Sequence, residues 1–201
     1  TLTAQESKSV LAAFHIPVNP TITVRTAQEA LIAAESLGYP VVLKVNMAEF
    51  SHKSDIGGVR LNIVMAQSVR ENFIELEEVV KAQNPEIEEV IMTVEPMYRS
   101  AHARELLVGV VRDPVFGPAI SVGMGGTMVE ILQDKAVGLP PLNRSVANRM
   151  LSRTKAGKLI KAFRNMPAVN EEALMHTLMR ISDMVSHLPE VLELDINPLI
   201  V

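Results

Sequence analysis

The sequence contains no cysteine among its 201 residues. This absence excludes disulfide bonds, thiol catalysis and cysteine-ligated metals. A chain of this length buries roughly 70% of the surface that its unfolded form exposes, so it needs no covalent cross-links. The composition, 48% hydrophobic and 21% charged, excludes disordered and low-complexity proteins and is sufficient for one ordinary core or two small lobes.

Long apolar runs and a strong charge of one sign are also absent. No stretch approaches the roughly 18 residues of a transmembrane span, and the first ten residues lack the features of a signal peptide. The net charge of −4 gives no reason to expect nucleic acid or an anionic membrane as a partner. We therefore expect a cytoplasmic protein. Because the sequence runs from Thr1 to Val201 without an initial Met, we expect a fragment of a longer chain.

Capping patterns predict where the helices begin. Three Ser/Thr-x-x-Glu spacings precede apolar periodic segments and are typical of capping boxes. The second helix is expected to end at Gly38 and the third before Asn84. Two later helices are predicted over residues 145–164 and 170–187. The three predicted capping boxes are Thr3/Glu6, Thr26/Glu29 and Ser68/Glu71.

The predicted strands change their arrangement along the chain. In the first half, strands alternate with helices; after Pro96, strands follow one another closely, and two helices and a last strand come after them. This pattern predicts an α+β fold with two α+β lobes, residues 1–97 and 98–201. The strands are predicted over 21–24, 40–45, 58–63, 89–94, 105–111, 118–123, 128–132 and 191–201.

Lys44 lies inside the apolar segment PVVLKV. A lysine rarely takes such a position unless an anion or a carboxylate meets its ammonium group, and a phosphate would do so. The alternative is a lysine on an edge strand whose charged end reaches water.

The segment HKSDIGG combines two cationic side chains with adjacent glycines. Backbone amides at Gly57 and Gly58 can approach a polyphosphate while Lys53 neutralises its charge. His52 is a candidate nucleophile that accepts a phosphoryl group, or else an ordinary surface histidine.

A second glycine-rich segment, SVGMGG, contains Gly125 and Gly126. It lies between predicted strands and lacks the context of a Rossmann or Walker loop. The segment is either a tight turn whose amides face a ligand or a plain hairpin turn.

The last strand carries three oxygen-bearing side chains at alternate positions. Glu193, Asp195 and Asn197 are predicted to project from one face, opposite Leu192, Leu194 and Ile196. Carboxylate and amide oxygens suit Mg²⁺ that bridges nucleotide phosphates, although a solvated polar face is the alternative. Glu130 is a candidate further carboxylate.

Taken together, four segments resemble the ATP-grasp domain of the NDP-forming (ADP-forming) acyl-CoA synthetases. That family includes the synthetase-like part of bacterial protein lysine acetyltransferases, and succinyl-CoA synthetase β subunits are more distantly similar. The resemblance spans residues 1–201 and implies an ATP-grasp fold that binds ATP or ADP with Mg²⁺ in a cleft between two α+β lobes. It is carried by PVVLKV, HKSDIGGVRL, RELLVGVVRDPVFGPAISVGMGGTMVEIL and ELDINPLIV.

The resemblance also implies roles for individual residues. Lys44 would bind the α and β phosphates, Lys53 and the Gly57-Gly58 loop the phosphate tail, and a histidine like His52 would relay a phosphoryl group to a distant acyl site. The backbone of residues 94–97 would lie beside the adenine. The expected nucleotide-binding residues are Lys44, Lys53, Gly57, Gly58, Val94, Glu95, Met97, Glu105, Gly125 and Gly126, and the expected metal-binding residues are Asp195, Asn197 and Glu130.

The chain departs from the family pattern in one informative place. Met47, Ala48 and Glu49 stand where the family usually reads Ser-Pro-Asp before the His-Lys pair. Two activities therefore remain open: phosphoryl transfer through His52 in an acid–thiol ligase, or non-catalytic sensing of nucleotide or CoA in a lysine acetyltransferase. A third interpretation is a structural lobe that uses its basic stretch, residues 135–170, for assembly. CoA-binding and ligase domains, on the same or a partner chain, and an oligomeric full-length protein are expected.

Overall fold

The protein is described here by a computed structural model that covers residues 1–47, 57–98, 100–126 and 133–201. Within these ranges the strands form two antiparallel four-stranded sheets, and helices accompany each of them. The chain divides into two compact units. We call Val18–Arg99 the central unit, and Thr1–Pro17 together with Ser100–Val201 the split unit. The α+β class expected from the sequence is confirmed.

The first helix, α1 (Ala4–Ala13), belongs to the split unit, although the sequence placed residues 1–97 in one lobe. Ile16, just after this helix, is 2% exposed. The carbonyl of His15 accepts a hydrogen bond from the guanidinium of Arg180, which lies far along the chain in the same unit. This contact could not be predicted from neighbouring residues, because in the sequence α1 directly precedes the strands of the central unit.

The central unit packs two helices on one face of its sheet. The sheet order is β1-β4-β2-β3, and α2 contacts both α3 and β4. Val41, Leu43 and Val45 alternate along β2 and are completely buried against this helical layer. The elements are β1 (Ile22–Val24), α2 (Ala27–Leu37), β2 (Val41–Val45), β3 (Val59–Ile63), α3 (Ala66–Gln83) and β4 (Met92–Pro96).

The split unit has the sheet order β7-β6-β5-β8. Leu106, Val108 and Val110 are buried on the face that also carries Ile120 and Val122, and helix α6 supplies further buried apolar side chains. Strand β7 was not predicted, and the whole of the predicted strand 128–132 lies outside the described residues. The elements are β5 (Glu105–Asp113), β6 (Gly117–Met124), β7 (Lys135–Gly138), α4 (Arg144–Ser152), α5 (Ala156–Leu159), α6 (Glu171–His187) and β8 (Glu193–Ile200).

Two of the three predicted capping boxes begin helices where expected. Thr3 caps α1 reciprocally with Glu6, and the hydroxyl of Thr26 accepts a hydrogen bond from the Glu29 amide at the start of α2. The prediction at Ser68 is wrong, because α3 begins at Ala66 without a side-chain cap. The Val69 amide donates to the Met65 carbonyl at 3.3 Å, so the first helical turn already includes Ser68, which therefore is not the N-cap.

The predicted helix over 145–164 is also wrong, because the chain breaks it after α4. The Thr154 hydroxyl donates to the Leu151 carbonyl at 2.8 Å and accepts from the Gly157 amide at 2.9 Å. The Asp134 carboxylate accepts hydrogen bonds from the amides of Lys155 and Ala156. These side chains satisfy backbone groups that a continuous helix would pair internally, and the short helix α5 follows. The predicted helix over 170–187 is confirmed as α6.

Arg112 connects strand β5 to the end of helix α6. Its guanidinium donates hydrogen bonds to the carbonyls of Val185, Leu188 and Val191 at 2.8 to 3.1 Å. A cation is favourable where a helix ends, because the last carbonyls carry partial negative charge. Within the described residues, no helix has the length and apolar character needed to cross a membrane.

Candidate functional site

Lys44 in the central unit forms an ion pair with Glu95. Alternation along β2 and β4 puts Val42 and Lys44 on the sheet face opposite the helices, together with Thr93 and Glu95. The Lys44 Nζ lies 2.9 Å from Glu95 Oε2, and the Thr21 hydroxyl donates to Glu95 Oε1 at 3.2 Å. The Glu95 side chain is 11% exposed and that of Lys44 is 34% exposed.

This arrangement decides between the two interpretations of Lys44. Strand β2 lies between β4 and β3, so the edge-strand interpretation is wrong. The ammonium is met by a carboxylate, one of the two kinds of partner that the sequence suggested. A nearly buried carboxylate requires such a cation, because removing a charge from water without a partner is costly. Lys44 and Glu95, both expected at the nucleotide site, are therefore brought into direct contact.

The backbone that follows Glu95 is held in place. The Met97 amide donates to the Pro40 carbonyl at 2.8 Å, and the Asn19 side-chain amide donates to the Pro96 carbonyl at 3.1 Å. The side chain of Val94 is completely buried in the core, so it cannot contact a nucleotide.

Gly57 and Gly58 precede strand β3. Gly57 has φ +66°, and its carbonyl accepts a hydrogen bond from Arg60 at 2.6 Å. The Gly58 carbonyl accepts from the Val45 amide at 2.9 Å, which continues the pairing with β2. Gly57 thus occupies a conformation that favours glycine. His52 and Lys53 lie outside the described residues.

The expected metal-binding residues of the split unit lie on strand β8. Glu193, Asp195 and Asn197 are exposed, whereas Leu194 and Ile196 are half-buried, as the alternate spacing predicts. Leu192 does not belong to the opposite apolar face as predicted, because it precedes the strand and is 67% exposed. Asp195 lies across from Gly109 on the neighbouring strand β5.

The pairing of β8 with β5 changes register next to Asn197. Leu106 pairs with Leu199 and Val108 with Ile196, so β8 has one more residue than β5 between these pairs. Such an irregularity redirects side chains. The Asn197 Oδ1 accepts a hydrogen bond from the Gly126 amide at 2.8 Å. The predicted metal-binding strand and the predicted glycine turn are therefore in contact.

The glycines of this turn are needed because the turn lies against β5. The Gly125 amide donates to the Glu105 carbonyl at 2.8 Å. A Cβ on Gly125 would lie 2.5 Å from the backbone of Leu106, and a Cβ on Gly126 would overlap Glu105 Oε2. Gly126 also has φ +76°. The structure thus brings Glu105, Gly125, Gly126 and Asn197 together.

A cavity of about 310 Å³ opens beside this turn. One wall is the segment 159–166, and Arg104, which is 8% exposed, holds it against β5. The Arg104 guanidinium donates to the carbonyls of Leu159 and Pro167 at 3.0 and 2.7 Å, and to His102. Sequence reasoning gave Arg104 no role, because these partners lie far along the chain. The cavity is lined by Ala103, Arg104, Glu105, Leu106, Met124, Gly125, Gly126, Leu159, Phe163 and Met166.

The donor set around β8 suits a magnesium ion that shares nucleotide oxygens. In the described ranges, no three His, Asp or Glu side chains come together as ligands. Mg²⁺ is usually held by one or two carboxylates, with water and substrate phosphates completing its shell, so Asp195 and Asn197 fit this use. Glu130 lies outside the described residues.

Comparisons with known proteins identify the family. The family model of the ATP-grasp domain matches residues 1–201. The β subunit of ADP-forming acetate–CoA ligase I from Pyrococcus furiosus is 34% identical over 201 residues, covering 98% of this chain and 84% of the relative. The chain belongs to the ATP-grasp family. More closely, this ATP-grasp domain is of the type found in β subunits of ADP-forming acyl-CoA synthetases.

Other relatives are longer, and solved structures share the fold. ADP-forming acetate–CoA ligase I from Archaeoglobus fulgidus is 39% identical over 193 residues, but this ATP-grasp domain spans only 28% of its length. Acetyl-coenzyme A synthetase 1 from Ca. Korarchaeum cryptofilum, in complex with coenzyme A and Ca-AMPCP, matches with TM-score 0.90 and 34% identity over 98% of this chain and 85% of that one. A structure of the same enzyme with Mg-AMPPCP has its phosphohistidine segment pointing towards the nucleotide binding site (TM-score 0.84, 32% identity, 98% and 84% coverage).

The close approach of the glycine turn to β5 predicts unequal effects of two substitutions. Gly125→Ala should lower the free energy of unfolding by about 3 kcal/mol, because its Cβ meets a strand backbone that cannot yield. Gly126→Ala should cost about 1–2 kcal/mol, the strain of its positive φ, because the Glu105 side chain can move aside.

Urea denaturation measures both values. Gly117→Ala is the matched control, since Gly117 has φ +74° and nothing within 4 Å of its Cβ position. In the double variant that combines Gly125→Ala with Glu105→Ala, the Gly125→Ala substitution should still lower the free energy of unfolding by the same amount. A Gly125→Ala protein as stable as the Gly117→Ala control would contradict the assigned contact.

Proposed function

We propose that this domain binds ATP or ADP with Mg²⁺ in an ADP-forming acyl-CoA synthetase and exchanges a phosphoryl group between the nucleotide and His52. The observation that carries the proposal is the hydrogen bond from the Gly126 amide to Asn197 Oδ1, which connects the expected phosphate-binding turn to the expected magnesium-binding strand. The nucleotide analogues and phosphohistidine segment named for the similar synthetase structures support the same chemistry.

Residues of the central unit would bind the nucleotide phosphates, and residues of the split unit would bind the magnesium ion. In the central unit, Lys44 would neutralise nucleotide phosphates while Glu95 orients its ammonium, and Lys53 with Gly57 and Gly58 would hold the phosphate tail. In the split unit, Asp195 and Asn197 would hold Mg²⁺. When bound, this ion would offset the negative charge of the phosphates.

Phosphoryl transfer through His52 can run in both directions, and the bonds formed and broken balance in each. In ATP formation, the P–N bond of phosphorylated His52 breaks as an oxygen of the ADP β-phosphate bonds to phosphorus, and the imidazole is left neutral. In the reverse direction, a ring nitrogen of His52 attacks the γ-phosphorus of ATP and ADP leaves. Acid and CoA would be joined elsewhere, by CoA-binding and ligase domains of the same chain or a partner chain.

The alternative is a domain that senses nucleotide or CoA in a protein lysine acetyltransferase. The substitution of Ser-Pro-Asp by Met47, Ala48 and Glu49 favours it. However, Met47 packs against the core of the central unit, so its presence also has a packing explanation. The experiments below separate the two candidates.

Lys44→Ala should weaken ATP binding roughly ten- to a hundredfold, because it removes a charge-assisted phosphate contact of about 1.5–3 kcal/mol. Isothermal calorimetry on the folded protein measures the change. Lys81→Ala removes an exposed lysine paired with Glu77 on helix α3, and this control should leave the affinity unchanged. Equal ATP affinity of Lys44→Ala and wild type would refute the assignment.

Incubation of the full-length protein with γ-labelled ATP and Mg²⁺ should produce an acid-labile label that His52→Ala abolishes. His176→Ala, an exposed histidine on α6, is the control and should retain the label. Intact ATP binding without label on the wild type would reject the relay and favour the sensing module.

Asp195→Asn should reduce the stabilisation that ATP and Mg²⁺ confer, since the ion loses a carboxylate ligand. Without nucleotide, the melting temperature should stay equal or rise slightly, because repulsion with Glu193 on the same face is relieved. The readout is the melting temperature with ATP, in Mg²⁺ and in EDTA. Glu193→Gln, two residues away, is the control and should keep the ATP-induced shift in melting temperature. The metal assignment fails if EDTA and Asp195→Asn both leave the ATP-induced shift intact.

A further inference from the structure

Arg60 on strand β3 connects helix α3 to the Gly57-Gly58 loop of the central unit. Its Nη1 donates a hydrogen bond to the Gly57 carbonyl at 2.6 Å, and its Nε lies 3.6 Å from Glu75 Oε2 on α3. The Arg60 side chain is 27% exposed. A single guanidinium therefore joins a carbonyl of this loop to an acidic group of the helical layer.

Gly57 depends on this contact for the direction of its carbonyl. The residue has φ +66° and is exposed, and nothing lies within 4 Å of its Cβ position. Glycine takes many backbone conformations at little cost, so sterics do little to fix the peptide that joins Gly57 to Gly58. A short hydrogen bond from a charged donor is among the stronger kinds. Arg60 therefore selects one orientation of this peptide.

The direction of the Gly57 carbonyl also determines that of the Gly58 amide. Both groups belong to one trans peptide unit, in which C=O and N–H point in opposite directions. The Gly58 N–H therefore points away from the Arg60 guanidinium. The Gly58 carbonyl accepts a hydrogen bond from the Val45 amide, so strand β2 holds the other side of the residue. A carbonyl bonded to a cation also polarises its peptide, which makes this N–H a stronger donor.

Arg60 and Lys44 belong to opposite faces of the central sheet. Arg60 pairs with Leu43, which is completely buried on the helical side, and its guanidinium reaches helix α3. Lys44 is the next residue of β2 and lies on the face away from the helices. A phosphate at Lys44 would lie on that second face. Arg60 is therefore placed to act on such a phosphate through the glycine peptide rather than by contact.

We propose that Arg60 is a positioning residue for phosphate binding: by holding the Gly57 carbonyl, it directs the Gly58 amide to the terminal phosphates of the nucleotide. This inference rests on the proposed function, which assigns the phosphate tail to the Gly57-Gly58 loop. Glu75 orients Arg60 in turn. Because the amide meets only the terminal phosphates, loss of Arg60 should weaken binding of ATP and leave binding of AMP intact.

Calorimetry with ATP and with AMP tests this role. Arg60→Ala should weaken ATP binding about five- to tenfold, part of the effect of a complete charge-assisted hydrogen bond, and keep AMP binding within about twofold of the wild type. Arg60→Lys should recover most of the ATP affinity, because its ammonium can donate to the same carbonyl. The matched control is Arg25→Ala, which removes an arginine that pairs with Glu89 in the same unit and should leave both affinities unchanged.

A second variant separates positioning from the effect of charge. Glu75→Gln keeps the size of the side chain but removes the negative charge that holds Arg60. By charge alone this variant should bind ATP more tightly, since the unit becomes less acidic. If Arg60 positions the loop, ATP binding should instead weaken by about twofold, the small effect expected of an exposed ion pair. Glu78→Gln, at an exposed position of the same helix, is the control and should not weaken ATP binding.

The Gly58 amide gives a direct readout by nuclear magnetic resonance. In protein labelled with glycine carrying both ¹³C in its carbonyl and ¹⁵N, a carbonyl–amide correlation spectrum contains only amides that follow a glycine. The sequence has two, Gly58 and Gly126, and Gly126→Ala removes the second signal and so assigns the first. ATP should move the Gly58 proton signal downfield in the wild type, as donation to a phosphate does, and clearly less in Arg60→Ala.

The outcomes separate failure of this inference from failure of the proposed function. The positioning role is overturned if Arg60→Ala weakens ATP and AMP binding equally or leaves ATP binding unchanged, or if Glu75→Gln tightens ATP binding. A Gly58 signal that ATP does not move also overturns it, and this result and that of Glu75→Gln decide the question should Arg60→Ala fail to fold. A wild-type protein that binds no ATP would instead reject the proposed function, and this inference with it.

Discussion

The split unit depends on strand β5, which pairs with β6 on one side and β8 on the other. An arginine at each end connects the strand to other segments. Arg104 donates to the carbonyls of Leu159 and Pro167, and Arg112 donates to carbonyls at the end of α6. Guanidinium groups can satisfy several carbonyls from one side chain, because their five donors have fixed directions. The glycine turn, strand β8 and the turn between β5 and β6 therefore take their positions from a single element.

Local patterns predicted the parts of the fold that depend on neighbouring residues. The capping residues of α1 and α2 and the alternation of Asp195 and Asn197 with apolar residues are signals within a few positions, and the structure contains each of them. The prediction at Ser68 failed because the first helical hydrogen bond, from the Val69 amide to the Met65 carbonyl, encloses Ser68 within α3. A capping pattern therefore identifies a candidate N-cap, and the backbone hydrogen bonds of the folded chain decide whether it is used.

The remaining parts depend on contacts between distant residues. The Arg104 carbonyl partners lie 55 and 63 positions away, and α1 belongs to a unit that resumes only at Ser100. The contact between Gly126 and Asn197 also requires the register change in β8, which moves one side chain relative to β5. No periodicity encodes such a shift, so the sequence alone could name these residues as candidates without bringing them together.

The Lys44–Glu95 pair sets the electrostatic conditions under which this lysine would meet a phosphate in the proposed nucleotide site. Its ammonium is already neutralised at 2.9 Å by a carboxylate that is itself 11% exposed. A phosphate at Lys44 would compete with this partner or share the ammonium, and repulsion from Glu95 would offset part of its attraction. The pair in turn keeps the lysine in one direction, which reduces the entropy lost on binding. In the proposed nucleotide site, Lys44 is therefore held in position for a phosphate by the same carboxylate that offsets part of its attraction.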